Sequence, residues 1–250
     1  LQLLKLKFTF LFKNKLNFFL TIINFFPILL FFHCLFIFNF KKWLGPVATF
    51  YASLSIFGLC LFLNINELYF IFLNGNYFYL DFGRWFFCLD LIDSHLIFCS
   101  DNLALITSLL VLFLTSFALY FGIEYMYRDA FINRLLYLLN LFATSVIFLF
   151  FCYDFFLIIF AWECIGLFSL LLVNFYSMRI YTIKAALKTF IFSRISDLFM
   201  FLAFVFSILF FNSTDLSLIF LQIPFLSFHY IFIGLWAFHF LTVFAFFITL

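Results

Sequence analysis

Seven apolar stretches, each long enough to cross a lipid bilayer as a helix, constrain this sequence more than any other feature. About 20 consecutive apolar residues span the hydrocarbon core of a bilayer, and little of the chain lies outside such stretches. They predict an all-α, polytopic membrane protein with about seven transmembrane helices in a single membrane domain, residues 1–250. The predicted spans are 16–40, 44–63, 101–123, 135–152, 154–174, 185–211 and 227–250.

The balance of charged and apolar residues also places the chain in a bilayer rather than in water. Hydrophobic residues make up 68% of the sequence, charged residues 10%, and the mean hydropathy is +1.26, whereas soluble domains carry about 25% charged residues. The formal net charge is only +2, without a long basic run or a glycine-rich phosphate loop. The sequence therefore argues against a nucleic-acid or nucleotide partner and for contact with membrane lipids.

The codon bias of the gene can be inferred from the residue counts. Phenylalanine occurs 52 times, against 7 glycines and 3 prolines. Codons for Phe, Leu, Ile, Tyr and Asn can be rich in A and T, whereas codons for Gly, Ala and Pro cannot. The bias indicates an AT-rich gene and points to an organellar genome.

One sizeable segment, residues 64–100, is expected outside the bilayer as a β-hairpin-like loop. In it, Asn74-Gly75 lies between aromatic and β-branched runs, which is a hairpin signal. Basic residues favour the inner side of a membrane, and this loop carries four acidic residues against Arg84 alone. The loop is therefore predicted on the outer side, although the lysines before residue 16 contradict this orientation. The basic residues predicted on the inner side are Lys41, Lys42, Arg128, Arg134, Arg179 and Lys184.

Charged residues interrupt two adjacent spans. Glu163 lies near the middle of the fifth, where a carboxylate costs about 2.5–3.5 kcal/mol on insertion scales. Arg194 and Asp197 lie near the middle of the sixth, on one helix face, and Lys184 and Lys188 lie one turn apart nearer its inner end. This row is typical of a proton relay, because a carboxyl's pKa responds to burial and to a neighbouring cation. Static ion pairs that fix helix packing explain it equally well, and spacing does not decide.

Two consecutive stretches resemble a known family. AWECIGLFSLLLVNFYSMRIYTIKAALKTFIFSRISD, 161–197, and EYMYRDAFINRLLYLLNLFATSVIFLFFCYDFFLIIF, 124–160, resemble the largest antiporter-like membrane subunit of respiratory complex I, the subunit 5 family. The family also places a β-hairpin before Asp101. The chain departs from its pattern by small changes at Ile165, Ser193 and Ser196. The resemblance implies an antiporter-like fold, here its N-terminal portion, with the characteristic core at 101–211.

The resemblance implies a function and its residues. It implies a proton-translocating subunit of NADH:ubiquinone oxidoreductase, driven by NADH oxidation elsewhere in the complex. Glu163 would be the input-side carboxylate of a Glu–Lys pairing tuned by a nearby cation, with Asp197 and Arg194 as its neighbours and Lys188 also matched. The expected location is the mitochondrial inner membrane, with 64–100 on the intermembrane-space side.

Cofactors and partners follow from the same resemblance. FMN, iron–sulfur clusters and ubiquinone belong to other subunits, and none is expected on this chain, whose six cysteines show no C-x-x-C spacing. The expected partners are the other membrane subunits of complex I, especially the neighbouring antiporter-like subunit.

The last predicted span, 227–250, departs further from the family. It lacks the family's broken helix with its lysine, and His239 is the candidate proton-holding residue near its centre. We therefore expect a split subunit, with a second polypeptide supplying the remaining helices, and a truncation fits equally well. The alternative is that His239 replaces the lysine.

Two other polar residues have ordinary structural interpretations. His33 is expected to pack inside the bundle with a hydrogen bond to a carbonyl freed by the nearby Pro27, and Asp154 is expected to be solvated at a helix end.

Two other functions remain open. A stand-alone cation/proton antiporter would share Glu163 and the Arg194–Asp197 face, although the organelle-like composition argues against it. A structural membrane scaffold that lost transport would not need charges at the middle of the bilayer.

Overall fold

The fold is helical with one β-hairpin. The computed structural model describes residues 26–74, 78–88, 92–211, 214–216 and 218–219. Among these, five helical segments are long and apolar enough to cross a membrane, and a sixth, Phe26–Phe40, is apolar but shorter. The prediction of a polytopic helical membrane protein is confirmed. The elements in chain order are α1 (Phe26–Asn74), β1 (Phe78–Cys88), β2 (Ile92–Ser100), α2 (Asn102–Tyr125), α3 (Ile132–Phe151), α4 (Phe155–Val173) and α5 (Ile180–Phe211).

A sharp turn divides α1 into two arms. Gly45 has φ 67° and ψ 175°, and Pro46 follows it. This region of backbone space is essentially restricted to glycine, and proline cannot donate the helical hydrogen bond at that point. The helix therefore breaks here into a first arm, 26–44, and a second arm, 46–74.

The first arm runs antiparallel to α3. Phe26 contacts Phe151 at the end of α3, with ring centroids 5.2 Å apart, and Phe38 contacts Tyr137 near its start, at 5.6 Å.

The second arm runs antiparallel to α2. Asn64 donates to Ser108 near the start of α2, and Phe50 lies 6.4 Å from Tyr120 near its end. Because α2 and α3 are joined by the short segment 126–131 and are themselves antiparallel, the two arms of α1 point in opposite directions. The second predicted span is thus present but continues to Asn74 instead of ending at residue 63, and the first is helical over its described part, from Phe26 onward.

The four helices described so far, the two arms of α1 with α2 and α3, form what we call the four-helix unit. Each presents a stripe of buried residues at helical spacing to a common core. Inside a bilayer, close van der Waals packing and interhelical hydrogen bonds hold such stripes together. The stripes contain Phe26, Leu30, His33 and Ile37; Phe50, Ser53, Phe57, Cys60, Asn64, Glu67 and Ile71; Leu105, Ser108, Leu112 and Leu119; Leu136, Asn140, Ala143, Ile147 and Phe151.

The β-hairpin differs in place from the sequence prediction. Its strands pair antiparallel from Phe78↔Ser100 to Cys88↔Ile92, so the predicted hairpin is present but is not centred on Asn74-Gly75. Residues 64–74 are helical, because the apolar stripe of α1 continues to Ile71. A bulge bends β1 at Gly83, which has φ 95° and whose amide donates to Asp81 Oδ1 at 2.7 Å.

Backbone pairing ties the hairpin end of the bundle together. Phe98 in β2 forms a β-bridge with Cys152, and Asp154 forms another with Asp215. The Tyr153 amide donates to the Ile97 carbonyl at 3.0 Å. The hairpin, the α3–α4 junction and the segment after α5 therefore meet at one end, which we call the hairpin end.

The remaining helices pack in sequence order on this unit. α4 packs on α3, and α5 packs on α4 through a small cluster of Phe155, Ile159, Ala203 and Phe204. The predicted spans agree with α2 to α5 within a few residues, and α5 begins at Ile180, five residues before its predicted start. The predicted span 227–250 lies outside the described residues.

Candidate functional site

Glu163 is positioned by a helix that is capped at its start. Asp154 precedes α4, and its Oδ1 accepts from the Phe156 amide at 3.1 Å, which satisfies one of the free amides of the first turn. From this fixed start, Glu163 falls at the ninth of the 19 residues of α4. Its carboxylate therefore lies near the middle of the helix, as the sequence predicts.

Arg194 joins Glu163 to Asp197. Its Nη1 lies 2.6 Å from Glu163 Oε2 and 3.4 Å from Asp197 Oδ2. The first contact links α4 to α5, and the second joins positions i and i+3 of α5. We call these three residues the carboxylate–arginine cluster. The side-chain exposures on this chain are 40% for Arg194, 32% for Glu163 and 15% for Asp197, so Asp197 is the best shielded of the three.

Two aromatic side chains complete the cluster. The Trp162 side chain lies next to the Asp197 carboxylate, and the Arg194 guanidinium lies 5.1 Å from the centroid of the Phe190 ring, within the range of a cation–π contact. Trp162 was not predicted as a site residue from the sequence. Its position next to Glu163 in the quoted motif was the available signal.

The two lysines lie apart from this cluster. Lys184 and Lys188 are both exposed on this chain. Among the described residues, neither lysine forms a hydrogen bond or an ion pair, so the structure does not join Lys188 to Glu163. His239 lies outside the described residues.

The hairpin end carries a buried acid. Asp154 is 0% exposed, contrary to the expectation of a solvated helix end. Burial raises the pKa of its carboxyl to about 6, the nearby Asp215 carboxylate adds to the rise, and the hydrogen bond from the Phe156 amide opposes it. Asp154 therefore titrates closer to neutrality than an ordinary aspartate.

A side-chain hydrogen bond also connects two loops at the opposite end of the bundle. Arg128, Arg134 and Arg179 lie at this end. The Tyr176 hydroxyl donates to Asp129 Oδ2 at 2.7 Å, which connects the α4–α5 loop to the α2–α3 loop. This hydrogen bond is the main reason that the pKa of Tyr176 is raised. We call this the basic end.

One cation between two carboxylates is an arrangement suited to moving a proton. Arg194 stays charged at any physiological pH, so it stabilises whichever of Glu163 and Asp197 is ionised. When one of the two carboxyl groups is protonated, the guanidinium pairs preferentially with the other, which is still ionised. No group of three or more His, Cys, Asp or Glu in the described part of the chain is arranged to hold a metal ion.

Residues 152–250 match a protein family described as NADH:quinone oxidoreductase/Mrp antiporter, transmembrane. The match contains Glu163, Arg194 and Asp197 and begins at the α3–α4 junction. This part of the chain is an antiporter-like membrane domain, as the sequence resemblance implies.

Several similar proteins bear the name NADH-ubiquinone oxidoreductase chain 5. That of Nyctotherus ovalis is 35% identical over 180 residues, which cover 68% of this chain and 9% of the relative. That of Acanthamoeba castellanii is 31% identical over 61% of this chain and 22% of its own length. That of Paramecium tetraurelia is 30% identical over 63% of this chain and 28% of its own length. The chain thus spans less than a third of each of these relatives, and the predicted resemblance to subunit 5 is confirmed over that part.

Proposed function

We propose that this chain is a proton-translocating membrane subunit of an NADH:ubiquinone oxidoreductase, and that it couples NADH oxidation in other subunits to proton movement. The observation that carries the proposal is the carboxylate–arginine cluster at mid-helix depth, inside the segment that matches the NADH:quinone oxidoreductase/Mrp antiporter family. The names of the relatives support the same assignment.

In this proposal, Glu163 receives the proton and Arg194 controls its affinity. When Arg194 lies against Glu163, as it does here at 2.6 Å, the ionised carboxylate is favoured. A shift of the guanidinium toward Asp197, 3.4 Å away, would favour proton uptake by Glu163. The chain then acts as part of an enzyme without carrying redox chemistry itself, and FMN, iron–sulfur clusters and ubiquinone are bound by other subunits.

Lys184 and Lys188 have a different place in the proposal. Both are exposed on this chain and neither contacts Glu163, so in this proposal they act toward a neighbouring helix. That neighbour can come from a part of this chain beyond the described residues, His239 included, or from a second polypeptide. The neighbouring antiporter-like subunit and the other membrane subunits of complex I are the remaining proposed partners, with lipid on the uncovered faces.

The proposed location is the mitochondrial inner membrane, with residues 1–250 in one membrane domain. The described helices place Arg128, Arg134 and Arg179 at the basic end and the β-hairpin at the other. By the preference of basic residues for the inner side, the hairpin faces the intermembrane space.

The decisive experiment is Glu163→Gln in the native assembly, reconstituted in vesicles. The amide keeps the side-chain volume but removes the titratable proton, so the number of protons moved per NADH oxidised should fall while the subunit composition stays normal. Glu124→Gln, at an exposed glutamate of α2, is the matched control and should leave the ratio unchanged. An unchanged ratio in Glu163→Gln would contradict the proposal.

A cation/proton antiporter is the second candidate, because the matched family description also includes Mrp antiporters. Mass spectrometry of the proteins that co-purify in mild detergent separates the two. Flavin- and cluster-bearing subunits support the oxidoreductase, and their absence together with cation-dependent proton transport by the purified chain supports the antiporter. A scaffold without transport predicts normal assembly and no effect of Glu163→Gln.

A further inference from the structure

The core of the four-helix unit contains polar side chains that protein groups leave unsatisfied. His33 is 3% exposed and Glu67 5%, while Asn64 and Asn140 are fully buried. Within the part of the chain that the structure describes, both nitrogens of His33, both amide atoms of Asn140, Asn64 Oδ1 and Glu67 Oε2 have no hydrogen-bond partner. None of these residues belongs to the carboxylate–arginine cluster, and the proposed function does not use them.

These side chains lie on the stripes that face the common core. Glu67 and Asn64 occupy the same stripe as the buried Phe57 and Cys60 in the second arm of α1, and Asn140 shares a stripe with Ile147 of α3. Their polar atoms therefore point among packed helices and not toward lipid. His33 packs inside the bundle as predicted, but its predicted bond to a carbonyl is not found among the described residues.

Interhelical contacts sort these groups into two depths. Asn64 Nδ2 donates to Ser108 Oγ at 2.8 Å, and Glu67 lies one turn closer to the hairpin end, about 4.5 Å along the helix axis. We call Asn64, Ser108 and Glu67 the hairpin-side level.

The second group lies deeper. Cys34 Sγ lies 3.7 Å from Thr144 Oγ1, which sets His33 about one helical turn from the depth of Asn140 on α3. We call His33 and Asn140 the mid-depth level. Asn64 and Glu67 lie on the second arm of α1, whereas His33 and Asn140 lie on the first arm and on α3, so we treat the two levels as separate sites.

Leaving these atoms unsatisfied would be costly. An unpaired buried polar group costs about 1–3 kcal/mol, and such groups in proteins are usually satisfied by an internal water with two to four polar partners. His33 and Asn140 together offer donors and acceptors from two neighbouring helices, about one helical turn apart in depth. Glu67 Oε2 and Asn64 Oδ1 offer two acceptors one turn apart, next to the Ser108 hydroxyl.

We propose that the four-helix unit binds internal water at both levels: one site between His33 and Asn140, and one between Glu67 and Asn64. The ligand is water, and the two ionisable side chains, His33 and Glu67, are its anchors. This makes the four-helix unit a second hydrated part of the chain, separated by the body of α4 from Glu163, which faces α5.

The test is a high-resolution cryo-electron microscopy map of the native assembly, compared with Asn140→Leu. We expect ordered water within hydrogen-bond distance of the Asn140 amide and of a His33 nitrogen, and a second water at Glu67 Oε2. In Asn140→Leu, which keeps a similar volume without polar atoms, the mid-depth water should disappear and the hairpin-side water should remain.

Leu136→Met, on the same stripe, is the control and should retain both waters. A map in which His33 and Asn140 bond directly to protein groups, or in which the sites are packed by apolar atoms, would overturn the proposal. The readout does not depend on NADH oxidation or on Glu163, so it stands or fails independently of the proposed function.

Discussion

Arg194 Nη1 lies 2.6 Å from Glu163 Oε2 and so forms the one side-chain ion pair, among the described residues, that links α4 to α5. The same guanidinium contacts Asp197 on its own helix. This double role means that a change at Arg194 affects helix packing and proton affinity together, whereas a change at Glu163 leaves the Arg194–Asp197 pair in place.

Arg194→Ala should therefore lower the stability of the assembly. It leaves two carboxylates side by side without their cation. Because the Arg194 side chain is 40% exposed on this chain, the cost should fall between the roughly 0–1 kcal/mol of a surface pair and the about 3–5 kcal/mol of a fully buried one. Thermal melting and native-gel abundance measure it. Ser193→Ala, which removes a hydroxyl that donates to the Phe190 carbonyl of the same helix, should change neither, and equal effects of both substitutions would show that the ion pair does not hold α4 and α5 together.

Gly45→Ala should destabilise the α1 turn. At φ 67° and ψ 175° an alanine is strained by about 1–3 kcal/mol, although a Cβ there would meet nothing within 4 Å. Gly58→Ala is the matched control: its Cβ also meets nothing within 4 Å, but its helical backbone accepts alanine, which gains up to about 1 kcal/mol. Opposite shifts in melting temperature are expected, and a similar shift for both would argue against backbone strain at Gly45.

Asp154 should make stability depend on pH. Its folded pKa of about 6 lies above its ordinary value of 3.8, so the folded state holds the proton more tightly than the unfolded state. The contribution of the Asp154 carboxyl to the free energy of unfolding is therefore most favourable below about pH 4 and is lost as pH rises to about 6. Above about pH 6 the free energy of unfolding no longer changes because of this group. The full change is at most about 3 kcal/mol, from roughly two pKa units.

Asp154→Asn tests this dependence, because asparagine also caps a helix but does not titrate. The variant should be more stable than the native protein at pH 7 and should lose the slope between about pH 4 and 6. Melting curves across that range measure the difference, and parallel curves for the two proteins would refute the assignment.

Tyr176→Phe should loosen the basic end. It removes the hydroxyl that donates to Asp129 at 2.7 Å and should lower the melting temperature by less than Arg194→Ala, because the bond is exposed. Since the pKa of Tyr176 is raised in the fold, the bond should persist up to its ordinary pKa of about 10 and be lost only as pH rises above that. Tyr181→Phe, at an 87% exposed tyrosine, should leave melting unchanged. If Tyr181→Phe lowered the melting temperature as much as Tyr176→Phe, the hydrogen bond between Tyr176 and Asp129 would have no specific role.

The helices were predictable because bilayer thickness sets their length, and the midpoint position of Glu163 followed from the ends of its span. The extension of α1 to Asn74 was missed, since Asn64 and Glu67 look like loop residues when their burial against α2 is unknown. The i, i+3 spacing predicted the Arg194–Asp197 pair, but it could not tell which face of α5 meets α4. Because the face that carries Arg194 is the one that contacts Glu163, Lys188 lies apart from Glu163.

The two β-bridges at the hairpin end also set an order of assembly. Phe98 pairs with a residue 54 positions later, and Asp154 with one 61 positions later, so each bridge closes a long loop that contains whole membrane helices. Such distant contacts form late, because loop closure costs entropy before the contact compensates for it. The hairpin can be secured at Cys152 once α3 is in place, but the Asp154–Asp215 bridge must wait for α5. Formation of both bridges therefore requires that α2 to α5 have each crossed the membrane, so that the bridged residues lie on the same side.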